Sequence, residues 1–244
     1  MDPVEIHFHG AAGTVTGACF ELRTRDTRVL VDCGLFQGTR TLEALNHEPL
    51  PFDPHGISAV ILTHAHVDHS GRLPYLVACG CDAPIWTTEP TADIAEPLLL
   101  DAAKLMAADA ERRNRRPDRA GLKAFEPLYS AEDVTACIGL LRETRYCDWN
   151  DLGGGNGFRL WDARHIVGSA TVELMLAGQR ILISGDVGNG APIRCADAEL
   201  GGYDHILCEA TYGDRDREPV LISDRREELA RNVEEVLGRG GNLL

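Results

Sequence analysis

Positive charge is scarce in this sequence. Twenty-four Lys and Arg face 38 Asp and Glu, leaving a formal net charge of −14 and a pI near 5.0. That excludes a protein gripping nucleic acid by overall basicity. It leaves a nuclease open, because bound cations can hold phosphate on an acidic molecule. No window approaches 18 consecutive apolar residues, so no membrane partner is expected. The N-terminal M-D-P-V-E-I-H-F-H-G has neither the basic segment nor the apolar run of a secretory signal. The eight cysteines, at 19, 33, 79, 81, 137, 147, 195 and 208, include no C-x-x-C pair. Reduced packing thiols are expected, and with them a cytoplasmic location. No G-K-[ST] follows Gly10, Gly13 and Gly17, against a nucleotide phosphate loop, and the absence of G-x-S-x-G disfavours a serine hydrolase.

What is present centres on T-H-A-H-V-D-H-S-G, residues 63 to 71, directly after the apolar run Ala59-Val60-Ile61-Leu62. Such a run reads as a buried strand. His64 and His66, two apart at its end, point their rings to one side. Asp68 and His69 fall where the chain should turn and aim at a second point nearby. Imidazole and carboxylate are good ligands for zinc and similar ions, and four together imply more than one metal.

At 244 residues the chain suits one large domain or two smaller ones. Val4, Ile6 and Phe8 alternate as in a half-buried strand, and residues 19–23 and 28–31 read as a hairpin ending in Asp32. Thr91 is a candidate cap for a helix towards Ala108 with Ile94, Leu98, Ala102 and Leu105 on its apolar face. Pro97 should kink or shorten it. Arg112, Arg113, Arg115, Arg116 and Arg119 are a possible RNA contact, though a solvated helix end is favoured. Ser130 and Asp133 start another helix, with Leu140 and Leu141 on its apolar side. The strand 158–165 ends in His165, and a second hairpin ends in Asp186. Ser223 is a plausible cap for a last helix with a buried stripe of Leu229, Val233, Val236 and Leu237. G-G-N-L-L at 240–244 begins another strand. Asp32, His64 and His66, His165 and Asp186 thus all end strands, and gathering those ends at one edge of a sandwich brings them together.

The motif H-x-H-x-D-H, with L-V-D-C-G at 30–34 and I-S-G-D-V-G at 183–188, resembles the metallo-β-lactamase superfamily. C-E-A-T-Y-G-D-R at 208–215 and G-T-V-T-G at 13–17 resemble its β-CASP subgroup of RNA-processing nucleases. The resemblance implies an α/β fold, an αββα sandwich over residues 1–210, truncated where residues 211–244 begin an inserted β-CASP domain. It implies two divalent metals, Zn2+ by expectation with Mn2+ acceptable. His64, His66 and His165 would hold one, Asp68 and His69 the second, and Asp186 would bridge. Asp32 would orient ligands from behind, Asp68 would also orient a hydroxide attacking a phosphodiester, and Glu209 would polarise a general-acid histidine. His205 is the last histidine, so weak second-site binding and poor activity are expected of this length. The implied partner is RNA, single-stranded by preference; a homo-oligomer is neither required nor excluded. A thioesterase- or lactonase-like hydrolase and a silent scaffold subunit are the alternatives.

Overall fold

The structure is a computed structural model that describes residues 3–116, 124–188, 201–216 and 222–242. They fall into two compact units, Met1–Glu209 and Ala210–Leu244. The first unit opens with β1 (Glu5–Phe8), β2 (Phe20–Arg23), β3 (Arg28–Val31) and the short α1 (Arg40–Ala44). There follow β4 (Ala59–Ile61), α2 (Val67–Ser70), α3 (Leu73–Ala78), β5 (Ile85–Thr87), α4 (Glu89–Asn114), α5 (Ala131–Gly139) and β6 (Leu141–Glu143). The chain then forms β7 (Asn150–Gly153), β8 (Asn156–Asp162), β9 (Ala170–Leu176), β10 (Gln179–Ile183) and β11 (His205–Leu207). The second unit holds α6 (Ile222–Gly238).

Two sheets result, a six-stranded one in the order β1-β2-β3-β4-β5-β6 and a five-stranded one in the order β11-β10-β9-β8-β7. β3, β4, β5 and β6 are mutually parallel. Central parallel strands are covered on both faces, which is why Ala59-Val60-Ile61 is uninterrupted apolar sequence. Alternation divides the side chains: Leu30, Val60, Leu62 and Ile85 enter a core shared with α3, α4 and α5. Val29, Val31 and Ile61 instead meet Phe158, Leu160, Val172, Leu174 and Ile181 of the second sheet. This layering is the expected α/β sandwich.

Several local expectations need correction. Phe8 is 54% exposed, because β1 is an edge strand whose end clears the core. α4 is capped by Thr88, whose hydroxyl accepts from Thr91 N, and its buried residues Ala95, Leu99 and Ala103 each lie one position on from the expected Ile94, Leu98 and Ala102. Pro97 does not shorten α4, which runs on to Asn114; it lies on the exposed side of the helix. Ser130 and Asp133 do form a capping box, but α5 stops at Gly139; Leu140 is its C-cap and Leu141 opens β6. Arg112 and Arg113 pair with Asp109 and Arg115 with Glu111, as on a solvated helix end. Arg119 lies outside the described residues. In α6, Ser223 sits inside the helix and Leu229 and Leu237 are 58% and 68% exposed, so the apolar stripe is not buried. Gly240 to Asn242 form no strand, and Leu243 and Leu244 lie outside the described residues. Cys147 is disulfide-bonded, against the expectation of thiols throughout; Cys19, Cys33, Cys79, Cys81, Cys137 and Cys208 are free.

Candidate metal centre

Parallel pairing turns the C-terminal ends of β3 and β4 to the same edge of the first sheet. Asp32 follows β3, and Thr63 and His64 follow β4. From the second sheet, β8 leads to His165 and β10 to Asp186. Thr63 O accepts from Ala170 N at 2.8 Å, which joins the two sheets at this edge. His165 does not end β8 as expected; it stands three residues beyond, after Arg164 with φ +55°. Its loop is held by the Thr88 and Thr91 hydroxyls donating to Gly168 O (2.7 and 2.9 Å) and by Tyr146 donating to Ser169 O. Ser169 Oγ in turn accepts from His165 N at 3.0 Å.

The segment carrying Asp68 and His69 is docked by its backbone. Ala18 N donates to Asp68 O, Cys33 N to His69 O, and Leu35 N to Val67 O, all within 2.9 Å. The approach requires Gly34, where an added Cβ would lie 1.6 Å from Asp68 O. Gly188 does the same for the opposite pair of loops, with its Cβ position 1.6 Å from Arg164 O.

These supports bring His64, His66, His165 and Asp186 together, each with one ligand atom within 4.8 Å of the others. His66 Nδ1 lies 3.0 Å from His64 Nε2 and 3.1 Å from His165 Nε2. Asp186 Oδ2 is 3.7 Å from His64 Nε2 and 3.5 Å from His165 Nε2. Nitrogens bound to one tetrahedral zinc at about 2.0–2.1 Å stand about 3.3–3.4 Å apart, so the group fits a divalent ion. Three imidazole nitrogens facing one another are not all satisfied by the protons they carry, and a cation satisfies them at once.

The other oxygen of Asp186 faces elsewhere: Oδ1 is 3.2 Å from His69 Nε2, which is 4.0 Å from Asp68 Oδ2. Asp186 thus reaches both halves of the expected centre. Burial, then neighbouring His69, pushes the His64 pKa down to about 2, leaving its ring neutral with a lone pair to give. Burial and His165 also lower His66. Burial lowers His69 too, but Asp32 and Asp186 outweigh it and hold it up at about 10. Positive charge is wanted there, whether a proton or a metal supplies it. Burial raises Asp186, and the histidines, His69 first, bring it down to about 2.

Asp32 is fully buried, and its Oδ2 accepts from His69 Nδ1 at 2.7 Å. Glu209 follows the end of β11, and its Oε1 accepts from Val187 N at 3.0 Å, one residue beyond Asp186. Thr63 was not singled out from sequence, yet its hydroxyl lies 2.8 Å from Asp32 Oδ2 and 3.0 Å from His64 Nδ1. Its position between an apolar run and the first histidine was the available signal.

A sequence profile described as the metallo-beta-lactamase superfamily matches residues 12–212. The chain belongs to the metallo-beta-lactamase superfamily. Members of this superfamily bind divalent metals, and the His/Asp group lies within the matched residues. The chain is 38% identical over 236 residues to Ribonuclease TTHA0252 of Thermus thermophilus, covering 96% of this chain and 49% of that one. It is 27% identical over 247 residues to an RNase J-like protein of Methanocaldococcus jannaschii, covering 99% and 50%. Against the transcription termination factor FttA of the same organism it is 28% identical, covering 99% and 36%. It therefore spans about half the length, or less, of these curated relatives. They agree with the β-CASP subgroup resemblance carried by residues 208–215. Among the described residues, no helix is long and apolar enough to cross a membrane.

Proposed function

We propose that this protein is a metal-dependent phosphodiester hydrolase acting on single-stranded RNA. The observation that carries the proposal is the convergence of His64 Nε2, His66 Nδ1, His165 Nε2 and Asp186 Oδ2 on one point. His64, His66 and His165 would hold one divalent ion and Asp68 and His69 a second, with Asp186 shared between the two. Zinc suits this imidazole-rich ligand set, which would also accept manganese. Bound there, such ions supply a water of lowered pKa and neutralise charge on the phosphate oxygens.

The chain's own residues do the rest. Asp68, with a side chain 19% exposed, stands at the start of α2 and orients the attacking water, accepting its hydrogen bond. Asp186 sets the separation of the two sites. Glu209 accepts from Val187 N, next to Asp186, and would polarise a general-acid histidine. The names of the relatives, two of them ribonucleases, favour RNA over other phosphodiesters. A cytoplasmic location accords with that substrate.

Incubation of the zinc- or manganese-loaded chain with an end-labelled single-stranded RNA tests this. Slow formation of metal-dependent fragments, absent with His64→Ala and His66→Ala together, is the expected result, in line with the poor activity expected of residues 1–244. Turnover of a thioester or lactone with no RNA cleavage would favour the small-molecule hydrolase that shares these ligands. Tight metal binding with no hydrolysis of any substrate would favour the scaffold subunit.

A further inference from the structure

We infer that Thr63 is a positioning residue: its hydroxyl relays the Asp32 carboxylate to His64, so that one buried carboxylate fixes the ring tautomer of a histidine in each half of the centre. The inference rests on the metal-centre reading above. Asp32 closes β3 with φ +60°, a left-handed conformation that Asp tolerates better than most residues. That turn aims its carboxylate into the space beneath the histidines, where three donors converge on it. Thr63 N donates to Oδ1 at 2.8 Å, the Thr63 hydroxyl to Oδ2 at 2.8 Å, and His69 Nδ1 to Oδ2 at 2.7 Å.

A carboxylate accepts and has no proton to return. The single hydroxyl proton of Thr63 is therefore committed to Asp32, and only lone pairs remain towards His64 Nδ1, 3.0 Å away. His64 must carry its proton on Nδ1, which leaves Nε2 unprotonated. Nε2 is the atom that faces His66 and Asp186 in the first site. On the other side, the Nδ1 proton of His69 goes directly to Asp32, since Thr63 Oγ1 is farther, at 3.4 Å. His69 Nε2 is then the atom turned to Asp186 and Asp68. Thr63 and His64 are fully buried, and Asp32 with them, so water does not substitute for the missing partner if one is removed. The γ-methyl has a separate task, lying 3.2 Å from the position a Cβ on Gly185 would take, next to Asp186.

Thr63→Val keeps the shape and removes the relay; Thr63→Ser keeps the relay and removes the methyl. Imidazole 15N NMR of the metal-free wild type should show His64 protonated at Nδ1. Thr63→Val should lose that single tautomer and bind Zn2+, measured against a chromophoric chelator, about 10–100-fold more weakly. Thr63→Ser should retain both the tautomer and the affinity, even if its metal-free melting temperature falls as far as that of Thr63→Val. A purely structural role would instead track melting temperature in both variants. A His64 proton on Nε2 in the wild type, or Thr63→Val binding Zn2+ as the wild type does, overturns the relay. The wild-type spectrum decides even if Thr63→Val does not fold. Absence of any Zn2+ binding by wild type would instead refute the metal centre, while the tautomer still reports on the relay.

Discussion

Glu21 shows how far a single residue's role depends on partners that sequence does not reveal. It lies in β2, its side chain fully buried, and accepts from Arg23, Arg28 and His9 at 2.6 to 2.8 Å. Burial raises its pKa, but Arg23, His9 and Arg28 together outweigh that and bring it from 4.5 down to about 2. A carboxyl depressed on folding adds stability that is fully present above its unfolded value and is lost as pH falls through its folded one. Glu21→Gln should therefore destabilise the metal-free protein most at pH 7, by about 3–5 kcal/mol for a broken buried ion pair. The gap to wild type should close between about pH 4.5 and 2 in urea titrations; a gap independent of pH contradicts it. At this scale the clustering of His64, His66, His165 and Asp186 was legible, because H-x-H-x-D-H has few other uses and the other two follow separate strands. Asp32 was legible too, as a carboxylate closing an apolar strand. Thr63 was not, since a threonine ending a strand is unremarkable until its hydroxyl is seen against Asp32. Nor was the contact Glu209 makes with Val187, which depends on how β10 and β11 pair.

Among elements, β-strands and hairpins were read closely and helix details less so. The central strands announce themselves by continuous burial, whereas the face a helix buries depends on what it packs against. In α4 the small residues Ala95 and Ala103 enter the core beside Leu99, which a search for large apolar residues passes over. Pro97 misled for a related reason: its cost depends on which side of the helix it faces. Pro97→Ala should extend the hydrogen-bonding of α4 and raise stability by about 1–3 kcal/mol without altering metal affinity. Thermal melts with and without Zn2+ measure this; a loss of stability would mean the proline shapes α4 after all. Gly34 is the opposite case, a residue whose replacement forces two backbones apart. Gly34→Ala should cost about 1–3 kcal/mol or more and weaken metal binding, because α2 carries Asp68 and His69. Gly139→Ala, where nothing lies within 4 Å of the added Cβ, is the control and should be neutral or stabilising. Equal behaviour of the two variants would contradict the docking of α2 on Gly34.

At the level of the whole molecule, the site exists because two sheets pack so that the ends of β3, β4, β8 and β10 share an edge. The sequence pattern anticipated that convergence from carboxylates and histidines closing separate strands, and the superfamily match agrees with it. What it left open was how the loops are locked together, through Gly34, Gly188 and the pair Thr88 and Thr91, because those contacts join residues far apart in the chain. The net charge of −14 accords with the proposal, in which bound cations and not surface basicity would hold phosphate. Metal content therefore bears on the proposal more directly than any other property. The purified chain, equilibrated with Zn2+ or Mn2+ and freed of excess, should carry at least one tightly held ion by plasma mass spectrometry. The double variant His64→Ala, His66→Ala, folded by circular dichroism, should lose that ion. Wild type without stoichiometric metal, or a double variant that retains it, would contradict the metal centre and the hydrolase built on it.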